Sequence, residues 1–447
     1  MSRVFHRHTR EELPSAAKGE GCYIVDTDGK RYLDASGGAA VSCLGHSHPA
    51  VQTAIREQLE QISFAHTGFF SNPPMEALAD ILIDQAPEGL ERVYFVSGGS
   101  EAMEAAVKMA RQYFLEIGQK QRTKLIARRQ SYHGNTLGAL SLGGNMWRRE
   151  PFQPILLENA HHIAPCYAYR DKRHDESEEA YGLRAANELE KKILELGSDT
   201  VAAFACEPVV GATAGALPAV PGYLKRIREI CDQYGVLLIF DEVMCGMGRT
   251  GHLFACAEDG VSPDLLCIAK GLGAGYQPIG ALLVAGKIFN AIQQGSGFFQ
   301  HGHTYMGHPL ACAAALAVQK VIRDENLLEN VQRRGAELRA ALEERFGNHH
   351  FVGDIRGRGL FIGIELVADR ASKQPFDPKL ALHNKIKKKA MQEGLICYPG
   401  GGTIDGQQGN HILLAPPFII DETHIAEIVD KLGRVLDSVF AEAKAVA

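Results

Sequence analysis

The sequence contains no apolar stretch near the ~20 residues that a membrane-spanning helix requires. Its basic opening, MSRVFHRHTREELPS, lacks the apolar core of a secretory signal. Long runs of lysine and arginine are absent. The 53 acidic residues outnumber 47 basic ones, for a formal net charge of −6, which argues against nucleic acid or an anionic membrane as partner. None of the ten cysteines stands in a C-x-x-C pair. They occur singly, and Cys206, Cys231 and Cys267 lie inside apolar runs, so they read as reduced core thiols of a cytoplasmic enzyme rather than a disulfide framework. The phosphate-loop pattern G-x-x-x-x-G-K-[ST] is missing, which disfavours a nucleotide hydrolase. Three histidines gather in HGHTYMGHP, at His301, His303 and His308. They are interrupted by glycines and lack the H-x-x-x-H spacing of a helical metal site, so no metal is expected. No repeat of 20–50 residues is visible, which excludes a solenoid.

Glycine is abundant, at 47 of 447 residues, and implies many points where backbone comes close to something else. Hydrophobic residues at 45% and charged residues at 22% are ordinary for a globular protein. The length predicts two domains or one large α/β core with an appendage. GCYIVDTDGKRYLDA (21–35) reads as a β-hairpin turning at Asp28-Gly29, and 49–63 as a helix. From residue 76 the pattern becomes short Val-, Ile- and Leu-rich strands alternating with helices. The predicted strands are 93–97, 123–128, 201–208, 236–243, 265–270 and 279–285, with helices at 76–86, 100–114 and 221–235. That rhythm predicts an α/β fold with a large mixed, mostly parallel sheet covered on both faces. Strand-like pieces at 351–366 and 411–414, a helix near 380–393 and a long amphipathic C-terminal helix predict a smaller α+β domain. The expected division is an N-terminal segment, 1–60, packing with the small domain; a large cofactor-binding domain, 61–325; and a C-terminal small domain, 326–447.

Several short motifs carry chemistry. SGGSEA (97–102) follows a strand and opens a helix, where free backbone N–H groups and close-packed glycines make an anion site; a serine N-cap is the simpler alternative. FDEV (240–243) puts Asp241 and Glu242 at the carboxyl end of an apolar strand, the edge where ligands of α/β sheets collect. Lys270 ends the apolar run LLCIA, where partial desolvation lowers an amine's pKa and makes it nucleophilic; snorkelling to the surface is the alternative. In Tyr132-His133-Gly134 the tyrosine ring is either a stacking surface for a flat cofactor or a core residue. A phosphate cup, a stacking ring, a carboxylate and a lysine together are the parts that pyridoxal 5'-phosphate requires.

The chain resembles the class III (subgroup II) aminotransferases of pyridoxal-phosphate fold type I. The likeness rests on GHSHP (45–49), SGGSEAMEA (97–105), YHG (132–134), EPVVGA (207–212), LIFDEVMCGMGRTG (238–251), CIAKGLGAGYQPIGA (267–281), TYMGHP (304–309) and APP (415–417), in matching order over nearly the whole chain. The resemblance implies that Lys270 holds the cofactor through a Schiff base and that Asp241 pairs with the pyridine nitrogen. It implies that Val243 and Tyr132 cover the two ring faces, that Gly99 and Ser100 hold the phosphate, and that His133 and Glu207 complete the cofactor site. Thr304 is implied to reach the phosphate of a neighbouring subunit, making a homodimer, or a dimer of dimers, the active unit.

Two positions depart from the pattern of the ornithine and 4-aminobutyrate enzymes. The glutamate expected five positions after Glu207 is Ala212, and the arginine expected three positions before Pro416 is Leu413. Their joint loss is chemically consistent, because either ion left alone would be buried without a partner. The chain is therefore nearer to ω-amino acid and amine:pyruvate transaminases. The implied activity moves an amino group from an ω-amino acid or primary amine to a 2-oxo acid, pyruvate first and 2-oxoglutarate second. A racemase or other non-transaminating enzyme of the same fold shares the cofactor residues and is the alternative; a fold that has lost turnover and only binds is a third reading. The upstream run CYPGGGTIDGQQGNH holds no arginine, so a carboxylate-binding group must come from elsewhere, with Arg148, Arg149 and His411 as candidates. Trp147 reads as pocket lining or core, and GGGTIDGQQG as a substrate loop or a turn.

Overall fold

A computed structural model describes residues 3–446, with side chains described through residue 442. A seven-stranded sheet forms its centre, in the order Leu90–Val96, Gly280–Ala285, Leu265–Ile268, Leu237–Asp241, Val201–Cys206, Lys124–Arg128, Ala160–Ile163. Every pairing is parallel except those of Gly280–Ala285, which runs antiparallel to both neighbours. The central strands are apolar at successive positions because helices cover both faces: Val201–Cys206 and Leu237–Asp241 are buried throughout. Helix Gly99–Glu116 shows why the sequence packs here. Ala102, Met103, Ala105, Ala106, Met109, Ala110 and Phe114 recur at three- and four-residue intervals and face the sheet.

A second, antiparallel sheet is built from Val352–Arg358, Phe361–Leu366, Asn410–Leu414 and Tyr398–Gly401. The N-terminal strands Ala16–Glu20, Tyr23–Asp26 and Arg31–Asp34 form a third sheet. They pair with Leu395–Ile396, near the other end of the chain, whose residues align in parallel with Leu33 and Asp34. The apolar interior follows this division: one core draws on residues 78–315, and another joins Cys22–Val51 to residues 314–440.

Three local differences from the sequence expectations have physical reasons. The strand read as 265–270 stops at Ile268, and Lys270 begins a short helical turn at φ +47°. A lysine in the left-handed region is strained, and such strain persists only where the surroundings impose it. The GGGTIDGQQG run is a strand end and turn: Gly400 and Gly401 pair with the final strand, and the Gln130 amide donates to the carbonyls of Gly402 (2.7 Å) and Thr403 (2.9 Å). Two elements gave little sequence signal, the solvent-facing strand Ala16–Glu20 and the glycine-bearing strand Tyr398–Gly401. Helix Glu178–Leu196, N-capped by the Ser177 side chain, was also not singled out. Among the described residues no helix is long and apolar enough to cross a membrane, and all ten cysteines are buried and unpaired.

Candidate active site

The carboxyl ends of the parallel strands open onto a cavity of about 480 Å³. Its lining brings together Gly99, Ser100, Tyr132, His133, Glu207, Asp241, Val243 and Lys270. Segments far apart in sequence meet there because strand ends 206, 241 and 268 lie side by side in register.

Asp241 is the last residue of its strand. One carboxylate oxygen accepts from the Val243 N–H (3.0 Å), and the other lies 2.8 Å from Nδ1 of the buried His133 ring. Nε2 of His133 is buried and has no partner among the described residues. Two contacts thus orient a carboxylate that would otherwise be free to rotate. Glu207 is likewise held by backbone, accepting from the N–H groups of Tyr132 (3.0 Å) and Gly211 (2.9 Å). Burial raises its pKa, and the nearby Asp241 charge adds to the rise.

Lys270 lines the same cavity. Burial lowers its pKa from the ordinary 10.5 to about 8, against the opposing pull of Asp241 and Glu207. About a tenth of the amine is therefore unprotonated at pH 7, far more than an ordinary lysine would offer, and the unprotonated form is the nucleophile.

Helix Gly99–Glu116 begins at the cavity wall, so its first N–H groups lack intrahelical acceptors. A Cβ on Gly99 would stand 2.7 Å from a methyl of Val243, so glycine is what lets the helix start close upon that side chain. The Ser100 hydroxyl donates to the Asn135 side chain (2.9 Å) and accepts from the Asn135 N–H (3.0 Å), pinning the Tyr132-His133-Gly134 turn to the helix start.

Other sequence candidates separate in space. Thr304 is exposed and does not line the cavity; its loop is tied to the helix start by His303, 3.0 Å from Glu101. Arg149 is buried with its guanidinium on the carbonyls of Leu140 and Gly143, a structural role. His411 is buried beside Thr403 (2.7 Å), its pKa lowered by burial to about 3, and it also lies outside the cavity. Trp147, at 58% exposed, is neither core nor cavity wall. Arg148 does line the cavity, its guanidinium 5.0 Å above the Tyr132 ring. Arg7 and Tyr398 line it too, and neither was singled out in the sequence. Arg7 sits in an irregular segment with no periodicity, and Tyr398 in a run dominated by glycine; neither context carries a local signal.

These residues fit pyridoxal 5'-phosphate. A depressed-pKa amine, an oriented buried carboxylate, an aromatic ring and a helix N-terminus enclose one space of suitable size.

Comparison with known proteins agrees. The family model described as Aminotransferase class-III matches residues 5–436. An uncharacterized aminotransferase of Schizosaccharomyces pombe is 44% identical over 438 residues, covering 98% of this chain and 95% of that protein. The putrescine–pyruvate aminotransferase of Pseudomonas aeruginosa is 36% identical, over 95% of this chain and 90% of its own length. The crystal structure of the omega transaminase from Pseudomonas jessenii in complex with PMP superposes with a TM-score of 0.91 at 35% identity, covering 97% and 94% of the two chains.

Proposed function

The chain belongs to the class-III aminotransferases, and from that premise we propose that it transfers an amino group from an ω-amino acid or primary amine to a 2-oxo acid, pyruvate first and 2-oxoglutarate second. That it is a pyridoxal-phosphate-dependent transaminase of fold type I follows from the family and from its structural neighbours. The cofactor, when bound, supplies the electron sink and carries the amino group between the two half-reactions.

The observation that carries the residue assignment is the convergence of Lys270, Asp241 and His133 on one cavity at adjacent strand ends. In this reading the Nζ of Lys270 would hold the cofactor. When an incoming amine takes its place, the same nitrogen would serve as the base that moves a proton from the amine-bearing carbon of the substrate to the carbon of the cofactor. Asp241, oriented by His133 and the Val243 N–H, would keep a proton on the ring nitrogen. The N–H groups at the start of helix Gly99–Glu116, with Ser100, would hold the phosphate. Tyr132 and Val243 would flank the ring, and Glu207 anchors the backbone of the tyrosine. Ala212 lines the cavity while Leu413 is buried in its strand, so the glutamate–arginine pair of the ornithine-type enzymes has no counterpart at these positions. That supports the ω-amino acid and amine:pyruvate side of the family.

A homodimer, or a dimer of dimers, belongs to the proposal. Exposed Phe69, Phe70 and Tyr305 offer apolar surface on and near the loop that carries Thr304. The decisive experiment is a screen of amine donors against pyruvate and 2-oxoglutarate, followed by cofactor absorbance. A donor-driven spectral change reversed by the acceptor, and abolished in Lys270→Ala, is expected. Turnover surviving that substitution would refute the assignment.

A further inference from the structure

Five formally charged side chains line the cavity: Arg7, Arg148, Glu207, Asp241 and Lys270. The acids are already engaged. Glu207 is held by two backbone N–H groups, and Asp241 by His133 and the Val243 N–H. The two guanidiniums are not: among the described residues neither Arg7 nor Arg148 has an acidic partner. Arg148 rests over the face of Tyr132, 5.0 Å from the ring centroid. That contact positions its planar fork without using its N–H donors. Arg148 belongs to the short helix Met146–Arg149, whose first turn is capped by the Asn145 side chain, and the next residue, Arg149, is locked onto backbone carbonyls. The backbone that carries Arg148 is therefore held from both sides. Arg7 approaches from the irregular N-terminal segment.

Glu207 and Asp241 are engaged elsewhere, and the helix start at Gly99 and Ser100 is assigned above to the cofactor phosphate, so the two guanidiniums bring to the cavity N–H donors that no acidic side chain among the described residues takes up. Arginine paired with a carboxylate forms short, charge-assisted and often bidentate hydrogen bonds. We propose that Arg148, assisted by Arg7, is the carboxylate receptor of this enzyme. The preferred amino donors are then carboxylate-bearing amines rather than plain alkylamines. This deepens the transaminase reading and rests on it. The device replaces the absent arginine at Leu413 by one delivered from the other side of the sequence, stacked on the ring-covering tyrosine.

The test compares 4-aminobutyrate with butylamine on the holoenzyme, with pyruvate as acceptor, as the ratio of kcat/KM values. The wild type should favour 4-aminobutyrate. Arg148→Gln should lower that ratio by about 10- to 100-fold, the range for losing hydrogen bonds to a charged group, mainly through KM for the carboxylated donor. Arg148→Lys should restore part of it, and Arg7→Gln should produce a smaller drop. A second readout does not depend on turnover: Trp147, the single tryptophan, adjoins Arg148. Its fluorescence should titrate with butyrate but not with butanamide, and should lose that response in Arg148→Gln. A wild type that prefers butylamine overturns the proposal. So does a ratio unchanged in Arg148→Gln, or an equal loss on both donors, which would make the arginine a mere prop for Tyr132. If no donor turns over with any acceptor, the transaminase reading itself falls, and the butyrate titration alone decides the guanidinium site.

Discussion

At the residue scale, the proposed chemistry depends on the state of one amine. Lys270 is charged when protonated, burial disfavours that form, and its pKa falls from 10.5 to about 8. The unprotonated form is the nucleophile. The rate at which the apoprotein captures pyridoxal phosphate should therefore rise with pH and level off above an apparent pKa near 8, as read by stopped-flow absorbance. A rate still climbing toward the unperturbed value of 10.5 would mean that the amine is solvated in solution. The left-handed backbone at Lys270 belongs to the same picture: Leu272, Gly273 and Ala274 bond back to the carbonyls of Ala269 and Lys270, closing the turn that sets the lysine at the strand end.

At the scale of elements, the loop behind the cavity is fastened to the second sheet by a buried ionic cluster. Arg356, on strand Val352–Arg358, donates to the carbonyls of Ala214 and Gly215 and to Glu365 (2.6 Å) and Asp354 (2.8 Å). Glu365 also receives Arg170 and the Tyr167 hydroxyl. Burial alone would raise the pKa of Glu365, but the Arg356 and Arg170 charges more than offset it and hold it below 4.5. An acid with a depressed folded-state pKa contributes stability that is present above its unfolded pKa and lost as pH falls through the folded one. Glu365→Gln should cost roughly 3–5 kcal/mol at pH 7, because it strands buried guanidiniums. It should also flatten the loss of stability seen below about pH 4.5. Denaturant unfolding of both proteins at neutral and acid pH measures both effects. Ala212 lies on the fastened loop and lines the cavity, so the same variant tests how far the second sheet steadies the site.

At the scale of the whole molecule, the chain joins its two ends through the pairing of Leu33 and Asp34 with Leu395 and Ile396. That places an N-terminal arginine, Arg7, and a C-terminal tyrosine, Tyr398, at one cavity with the strand-end residues. Thr304 stays outside it. In the proposed homodimer or dimer of dimers, Thr304 would supply a hydroxyl to the phosphate bound by its partner. Light scattering is expected to give two or four times the mass of the chain, and Thr304→Val should speed cofactor loss on dilution without altering that mass. A monomeric, fully active protein would remove this part of the proposal.

The alternation of apolar strands and helices, the glycine–serine helix start, the carboxylate closing one strand and the lysine after another were all legible in the sequence. Each is a local pattern in which the residue type answers directly to its backbone setting. Those signals sufficed for the fold class and the cofactor, and they pointed to Lys270 and Asp241, which the structure brings to one cavity. The three adjacent residues Trp147, Arg148 and Arg149, and the distant His411, could not be told apart as pocket residues from the chain alone. Only tertiary packing separated them: one is exposed, one stacked in the cavity, one spent on carbonyls and one buried elsewhere. The reason is physical. Backbone conformation follows from neighbours a few residues away, whereas which guanidinium remains without an acid depends on charges brought together from across the whole chain.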